Sequence, residues 1–147
     1  MYKHILIPTD GSALSELAIR QGIAFAREIH AKVTALVVSP SLHAFEVDPI
    51  MAGYTLSPEQ YAASATAQAE KYLAVARVEA GIAGVPCETL HVTRDHVYEA
   101  IIDAADRKGC DLIFMASHGR KGISAFVLGS ETYKVLSHSK IPVLVCR

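Results

Sequence analysis

Cysteine is scarce in this chain: Cys87, Cys110 and Cys146 form no C-x-x-C pair, and an odd count of three argues against a disulfide framework. Charge of either sign is not in excess, since 14 Lys and Arg face 15 Asp and Glu and leave a net charge of −1. The basic residues are scattered, which excludes the stripe that grips nucleic acid or an acidic membrane surface. No apolar run approaches a membrane span, and the short one within residues 1–8 meets Asp10 too soon for a signal peptide. Repeats, low-complexity segments and linkers are missing too. So are H-E-x-x-H, G-x-S-x-G, G-x-x-x-x-G-K-[ST] and G-x-G-x-x-G, which removes the zinc protease, acyl-transfer, P-loop and dinucleotide readings. His91 and His96 lack the spacing to share a metal on one helical face. A cytoplasmic protein with free thiols is the simplest account.

What is present suffices for one domain over residues 1–147, half of it hydrophobic at 51% and long enough to bury a core. Residues 2–8 read as a first strand whose Ile5-Leu6-Ile7 run suits burial on both faces. Ser12 then caps a helix from Ala13 to about His30, with Leu14, Ala18, Phe25 and Ile29 on its inner face. Residues 32–38, rich in β-branched side chains and ending at Val38, form a second strand, and residues 39–56 a long loop. Ser57-Pro58-Glu59-Gln60 combines a cap serine, a proline at the first helical position and the glutamine of a capping box. The helix it opens runs to about Gly81, with Tyr61, Ala65, Ala69, Tyr72 and Ala76 as its core stripe.

Residues 86–92 alternate as a third strand. Asp95 is placed to cap a third helix, in which Val97, Ile101 and Ala104 face inward and Gly109 marks the end. Residues 111–115 make a fourth strand, residues 131–137 a fourth helix and residues 141–146 a fifth strand, whose Pro142 suits a sheet edge. Strand and helix alternate throughout, which means an α/β fold of three layers with a parallel sheet between helices. In such folds ligands sit beyond the carboxyl ends of the strands, where the strand order reverses.

The stretch M-A-S-H-G-R-K-G-I-S-A-F-V-L-G-S, residues 115–130, joins the fourth strand to the last helix. Gly119 and Gly129 bracket nine residues, and Ser130 stands where a helix N-cap would be. Strand, glycine-bearing loop and helix N-terminus together can hold phosphate, because glycine permits close approach and the first helical amides lack intrahelical partners. The plainer alternative is a surface loop whose glycines serve its turns. Asp10, just past the first strand, faces the same crevice if the first and fourth strands are neighbours, and there it suits ligand positioning or a turn better than catalysis. His118 in this loop is more commonly packed or solvated than bound to phosphate.

These residues together resemble the universal stress protein family, whose nucleotide-binding members carry Gly-x2-Gly-x9-Gly-Ser/Thr after the fourth strand and an aspartate after the first. Ala116-Ser117-His118-Gly119, nine residues and Gly129-Ser130 match that pattern except at its first position. I-L-I-P-T-D-G-S near the start and I-P-V-L-V near the end match as well, so the resemblance covers essentially the whole chain. It implies a five-stranded sheet of order 3-2-1-4-5, a homodimer, and an adenine nucleotide (ATP, ADP or AMP, with Mg²⁺) between strands one and four. It also assigns roles: Pro8, Thr9 and Asp10 approach adenine and ribose, and Val38 offers backbone groups to the base. Met115 and Ala116 lie near the ribose, and Gly119, Gly129, Ser130, Glu131 and Thr132 surround the phosphates. Two departures carry consequences. Ala116 adds a methyl where the pattern has glycine, and Glu131 brings a carboxylate to a helix terminus that would hold phosphate, with Arg120 and Lys121 available to offset it.

A fifth strand at the sheet edge invites pairing, so Val143, Leu144 and Val145 are expected to meet their copies across a two-fold axis. Three functions follow from this reading: a dimeric nucleotide-responsive stress module, a slow ATPase or autophosphorylating enzyme, or an interaction protein of the same fold that takes no nucleotide.

Overall fold

The computed structural model of the chain describes residues 1–42, 57–120 and 127–147. Residues 43–56 of the expected long loop, and Lys121, lie outside them. The elements are β1 (His4–Pro8), α1 (Ala13–Glu28), β2 (Lys32–Ser39), α2 (Pro58–Ala83), β3 (Cys87–Thr93), α3 (Val97–Lys108), β4 (Leu112–Ala116), α4 (Ser130–His138) and β5 (Val143–Cys146). Every strand pairing is parallel and the sheet order is β3-β2-β1-β4-β5, the order the resemblance implied.

Two cores sandwich the sheet. On one face Ile5, Ile7, Val33, Val37 and Phe114 pack with Ala18, Ile19 and Ile23 of α1 and Leu73 and Ala76 of α2. On the other Leu6, Leu36, Ile113 and Met115 pack with Ile101 and Ala104 of α3 and Val135 of α4. Ile5, Leu6 and Ile7 are each 0% exposed, so β1 is covered on both faces as its unbroken apolar run requires.

The inner face of α1 is rotated from the expected one. Ser15, Ala18, Ile19, Gly22, Ile23 and Ala26 are buried, whereas Leu14, Phe25 and Ile29 flank the contact half-buried. The reason is close approach: a Cβ on Gly22 would lie 2.6 Å from Ile7 Cδ1, so α1 seats on the sheet at Gly22, with Ala18, Ile19, Ile23 and Ala26 around it. The capping box of α2 forms in full, with Ser57 N donating to Gln60 Oε1 at 2.9 Å and Gln60 N to Ser57 Oγ at 3.1 Å. The helix passes Gly81 and ends at Gly84, where φ is +69°, and Leu73 and Ala80 join its buried stripe. Gly109 ends α3 in the same left-handed way, at φ +66°. Among the described residues no helix is long and apolar enough to cross a membrane.

The amino-terminal end of the sheet holds a buried histidine. His4 is 4% exposed and its Nε2 lies 2.7 Å from the hydroxyl of Thr34, itself 0% exposed. Burial, reinforced by the positive charge of Lys32, holds the imidazole pKa below its ordinary 6.5. The unfolded chain therefore takes up a proton at a higher pH than the fold does. Stability is complete above pH 6.5 and declines as pH falls from there toward the depressed folded value. The urea midpoint is expected to drop between pH 7.5 and 5, and His4→Gln to flatten that part of the profile.

Candidate functional site

The strand order reverses between β1 and β4: β2 and β3 lie on one side of β1, β4 and β5 on the other. The loops after β1 and β4 leave from adjacent strands here, at the carboxyl end of the sheet, where folds of this type take ligands in a crevice. Proline ends β1, and the backbone of Thr9 makes its last rung through N–H to the Leu36 carbonyl at 2.8 Å. Thr9 is buried, its hydroxyl 3.0 Å from Ser15 Oγ and accepting from Gly11 N at 3.2 Å.

Asp10 then turns across the crevice. Its Oδ1 accepts from Ser12 N at 3.0 Å, an Asx turn that sets up the start of α1, and its Oδ2 accepts from Arg120 N at 2.8 Å. Burial alone would raise this carboxyl's pKa, but hydrogen bonds from Ser12, Arg120 and Ser15 together outweigh it and hold the group below 3.8. Asp10 is thus an anion at neutral pH and a tie between the two loops.

Backbone groups of β2 reach the same place. In a parallel ladder each residue directs both its amide and its carbonyl to one side, alternating along the strand. Leu36 bonds toward β1, while Val33 and Ser39 bond toward β3. Val38 therefore presents its N–H and C=O on the β1 side, two residues past the Leu36 carbonyl that takes the last β1 rung.

Beyond β4 the chain is tightly laced. Met115 and Ala116 are buried on opposite faces, Met115 in the α3/α4 core and Ala116 in the α1/α2 core. Ser117 N donates to the Cys146 carbonyl at 2.8 Å, and Gly129 N donates to the Ser117 carbonyl at 2.7 Å. Ser117 Oγ lies 3.2 Å from Nδ1 of His118, which is half-buried. The two motif glycines occupy places where a side chain does not fit. A Cβ on Gly119 would sit 2.0 Å from Asp10 Oδ2, and one on Gly129 would sit 2.9 Å from the Cα of His118. Asp10, Gly119 and Gly129 are thereby gathered at one end of the sheet.

The start of α4 differs from expectation. Gly129 is the N-cap and Ser130 the first helical residue, because the first helical hydrogen bond runs from Tyr133 N to the Gly129 carbonyl at 2.9 Å. Glycine brings no capping side chain, and helix geometry leaves the amides of Ser130, Glu131 and Thr132 without intrahelical acceptors. Thr132 is buried with its hydroxyl donating to the Ala116 carbonyl at 2.9 Å, so it clasps α4 to β4 and has its backbone amide to offer.

Glu131 turns away from its own helix terminus. Its Oε2 accepts from Tyr98 N at 2.9 Å and its Oε1 from Lys134 Nζ at 3.1 Å. Tyr98 is the second residue of α3, whose N-cap is His96 with no side-chain cap bond. Asp95, the expected cap, instead accepts from Ser41 N at 3.1 Å and from the Ser41 hydroxyl. A residue 33 positions along the chain therefore caps α3, a relation that local capping patterns do not contain. Glu131→Ala is expected to cost about 1–2 kcal/mol, by analogy with lost N-caps, read as a lower urea midpoint. Glu131→Gln keeps an acceptor and should recover part of it.

Arg120 and Tyr72 complete the wall. The Arg120 guanidinium lies 5.1 Å from the centre of the Tyr72 ring and donates to its hydroxyl. That ring packs on Gly11, whose φ is +76° and where a Cβ would meet Tyr72 Cε1 at 2.1 Å. Tyr72 belongs to the expected stripe of α2, but its part at the crevice has no sequence signal, because Gly11 and Arg120 reach it from other loops. Among the described residues no three His, Cys, Asp or Glu side chains gather as metal ligands would. The three thiols are free, with Cys110 and Cys146 buried and Cys110 pushed up to about 11 by burial, so they are poor nucleophiles.

Comparison with known proteins gives one consistent result. The model of the universal stress protein family matches residues 1–147. The chain is 30% identical over 156 residues to universal stress protein MJ0577 of Methanocaldococcus jannaschii, covering all of this chain and 96% of that protein. The solved structure of MJ0577 superposes with a TM-score of 0.81 at 29% identity, covering 99% of this chain and 95% of the other. A universal stress protein from Archaeoglobus fulgidus in complex with dAMP has a TM-score of 0.71 at 20% identity, over 99% and 98% of the two chains. A universal stress protein in complex with cAMP has a TM-score of 0.68 at 24% identity, over 99% and 97%.

Proposed function

The chain belongs to the universal stress protein family, and from that premise we propose that it binds an adenine nucleotide between β1 and β4 and acts as a dimeric, nucleotide-responsive stress module. The observation that carries this reading is the direction of Glu131. Its carboxylate is held by Tyr98 N and Lys134, so the positive end of α4 keeps its amides for an anion. The departure that argued most against phosphate in the sequence is thus turned elsewhere by the fold. Two members of the fold carry dAMP and cAMP, which supports an adenine ligand here.

In this reading Pro8, Thr9, Asp10 and the backbone of Val38 border the base and ribose, joined by the backbones of Met115 and Ala116. Gly119, Arg120, Gly129, the exposed Ser130 hydroxyl and the amides of Glu131 and Thr132 border the phosphates. Mg²⁺ enters with the nucleotide, held through phosphate oxygens, since the described residues gather no carboxylate set for it. Titration calorimetry with Mg-ATP, ADP and AMP tests the reading. Saturable binding supports it, and flat titrations with all three would discard it.

A second reading, an interaction protein without nucleotide, is favoured by one observation: packing against Asp10 and His118 already accounts for Gly119 and Gly129 with no ligand. Under it those glycines matter to stability alone.

The dimer is proposed on the sheet edge. β5 pairs only with β4 among the described strands, and the neighbouring α4 leaves Tyr133 62% and Leu136 43% exposed. Val143, Leu144 and Val145 are the strand residues expected to pair with a second copy in the cytoplasm. Light scattering after size exclusion should give a dimer mass at micromolar concentration, and Val143→Pro, which cannot donate to a new ladder, should shift it toward monomer.

A further inference from the structure

We propose that Tyr72 is the resting partner of Arg120, and that Arg120 exchanges it for phosphate when a nucleotide enters, so that Tyr72 sets the affinity of the site for phosphorylated ligands. The inference rests on the nucleotide reading above. Both partners have fixed bases. The backbone of Arg120 is tied to Asp10 through its N–H at 2.8 Å, and the Tyr72 ring packs against the left-handed Gly11. The mobile part is the exposed arginine side chain, which stacks over the ring at 5.1 Å and donates to its hydroxyl.

That hydroxyl has a second donor, Gln68 Nε2 at 2.5 Å, so it keeps a partner when Arg120 departs. Arg120 is also the only Lys or Arg among the described residues between β4 and α4. A charge-assisted bond from guanidinium to phosphate is about twice as strong as one to a neutral hydroxyl, and it can be bidentate. Phosphate within reach therefore wins the guanidinium, and the contact with Tyr72 is what must be given up.

The test is a double-mutant cycle read by titration calorimetry with Mg-ATP. Tyr72→Phe keeps the ring on Gly11 and removes the competing acceptor, so Mg-ATP should bind about two- to tenfold more tightly. Arg120→Gln should weaken binding about tenfold. In the Arg120→Gln background Tyr72→Phe should change nothing, because the residue it competes for is gone. A merely structural tyrosine would lose affinity on substitution, or lose it equally in both backgrounds, and either outcome overturns the exchange while leaving nucleotide binding intact. No Mg-ATP binding by the unaltered protein overturns both.

Discussion

Gly129→Val should weaken Mg-ATP binding at least about a hundredfold, a loss of roughly 2.7 kcal/mol. A Cβ at this position already lies 2.9 Å from the Cα and 3.1 Å from the Cβ of His118, and 3.1 Å from the carbonyl of Ser117. Two of those three neighbours are backbone atoms, and the carbonyl is the one that Gly129 N bonds at 2.7 Å, so the neighbours cannot swing aside as a side-chain tip would. Valine branches at Cβ and adds two methyls to the clash. The start of α4 has to move away from the β4 loop, and the amides of Ser130, Glu131 and Thr132 lose their aim at the crevice. A displacement near 1 Å is enough to cost about two orders of magnitude in a preorganised site. Overpacking also lowers stability, by about 1–3 kcal/mol, so the unfolding midpoint is measured in parallel and binding is titrated where the variant is folded. A folded Gly129→Val protein that binds Mg-ATP within threefold of the original would mean that α4 does not hold the phosphates.

The second large effect is a rescue. Gly119→Ala places a methyl 2.0 Å from Asp10 Oδ2, and the carboxylate cannot retreat without surrendering its bonds to Ser12 N and Arg120 N. Hydrogen bonds to a charged group contribute about 1.5–3 kcal/mol, so the substitution should cost an amount in that range. Asp10→Ala loses the same two bonds and should cost a similar amount. The two losses should not add. The three atoms nearest to that methyl all belong to the Asp10 carboxylate, so with the carboxylate gone the double variant should be about as stable as Asp10→Ala alone, with a coupling of roughly 1.5–3 kcal/mol. Urea denaturation of the four proteins measures it. Additive losses would show that Gly119 serves something other than the fit to Asp10. The lowered carboxyl pKa of Asp10 adds a pH signature: its contribution is present above pH 3.8 and is lost as pH falls through the depressed folded value, and Asp10→Ala should remove that loss.

Much of this architecture can be read along the chain because its signals are local. A capping box needs four consecutive residues, a left-handed helix end needs one glycine, and an unbroken Ile5-Leu6-Ile7 run marks a strand covered on both sides. Those readings hold at Ser57, Gly109 and β1. Alternation of strand and helix then selects a parallel sheet. Local reading goes astray where a contact crosses between elements. Asp95 has a good sequence position for a cap, yet the amide of Tyr98 is served by Glu131 from the next helix. The inner face of α1 turns toward Gly22 because of what Ile7 and Phe114 present to it.

The candidate site divides along the same line. Periodicity and turn residues were enough to set the fold class, while the strand order that gathers the two loops with a helix terminus came only from the family resemblance carried by residues 5–12, 116–130 and 141–145. The reach of local signals ends at about one helical turn or one strand, the range over which a side chain acts on its own backbone. Where the carboxylate of Glu131 points, what Arg120 rests on, and why each glycine is a glycine depend on residues brought together from 11 to 110 positions apart. Those contacts are set when the helices seat on the sheet, and the charge left at the start of α4 follows from them.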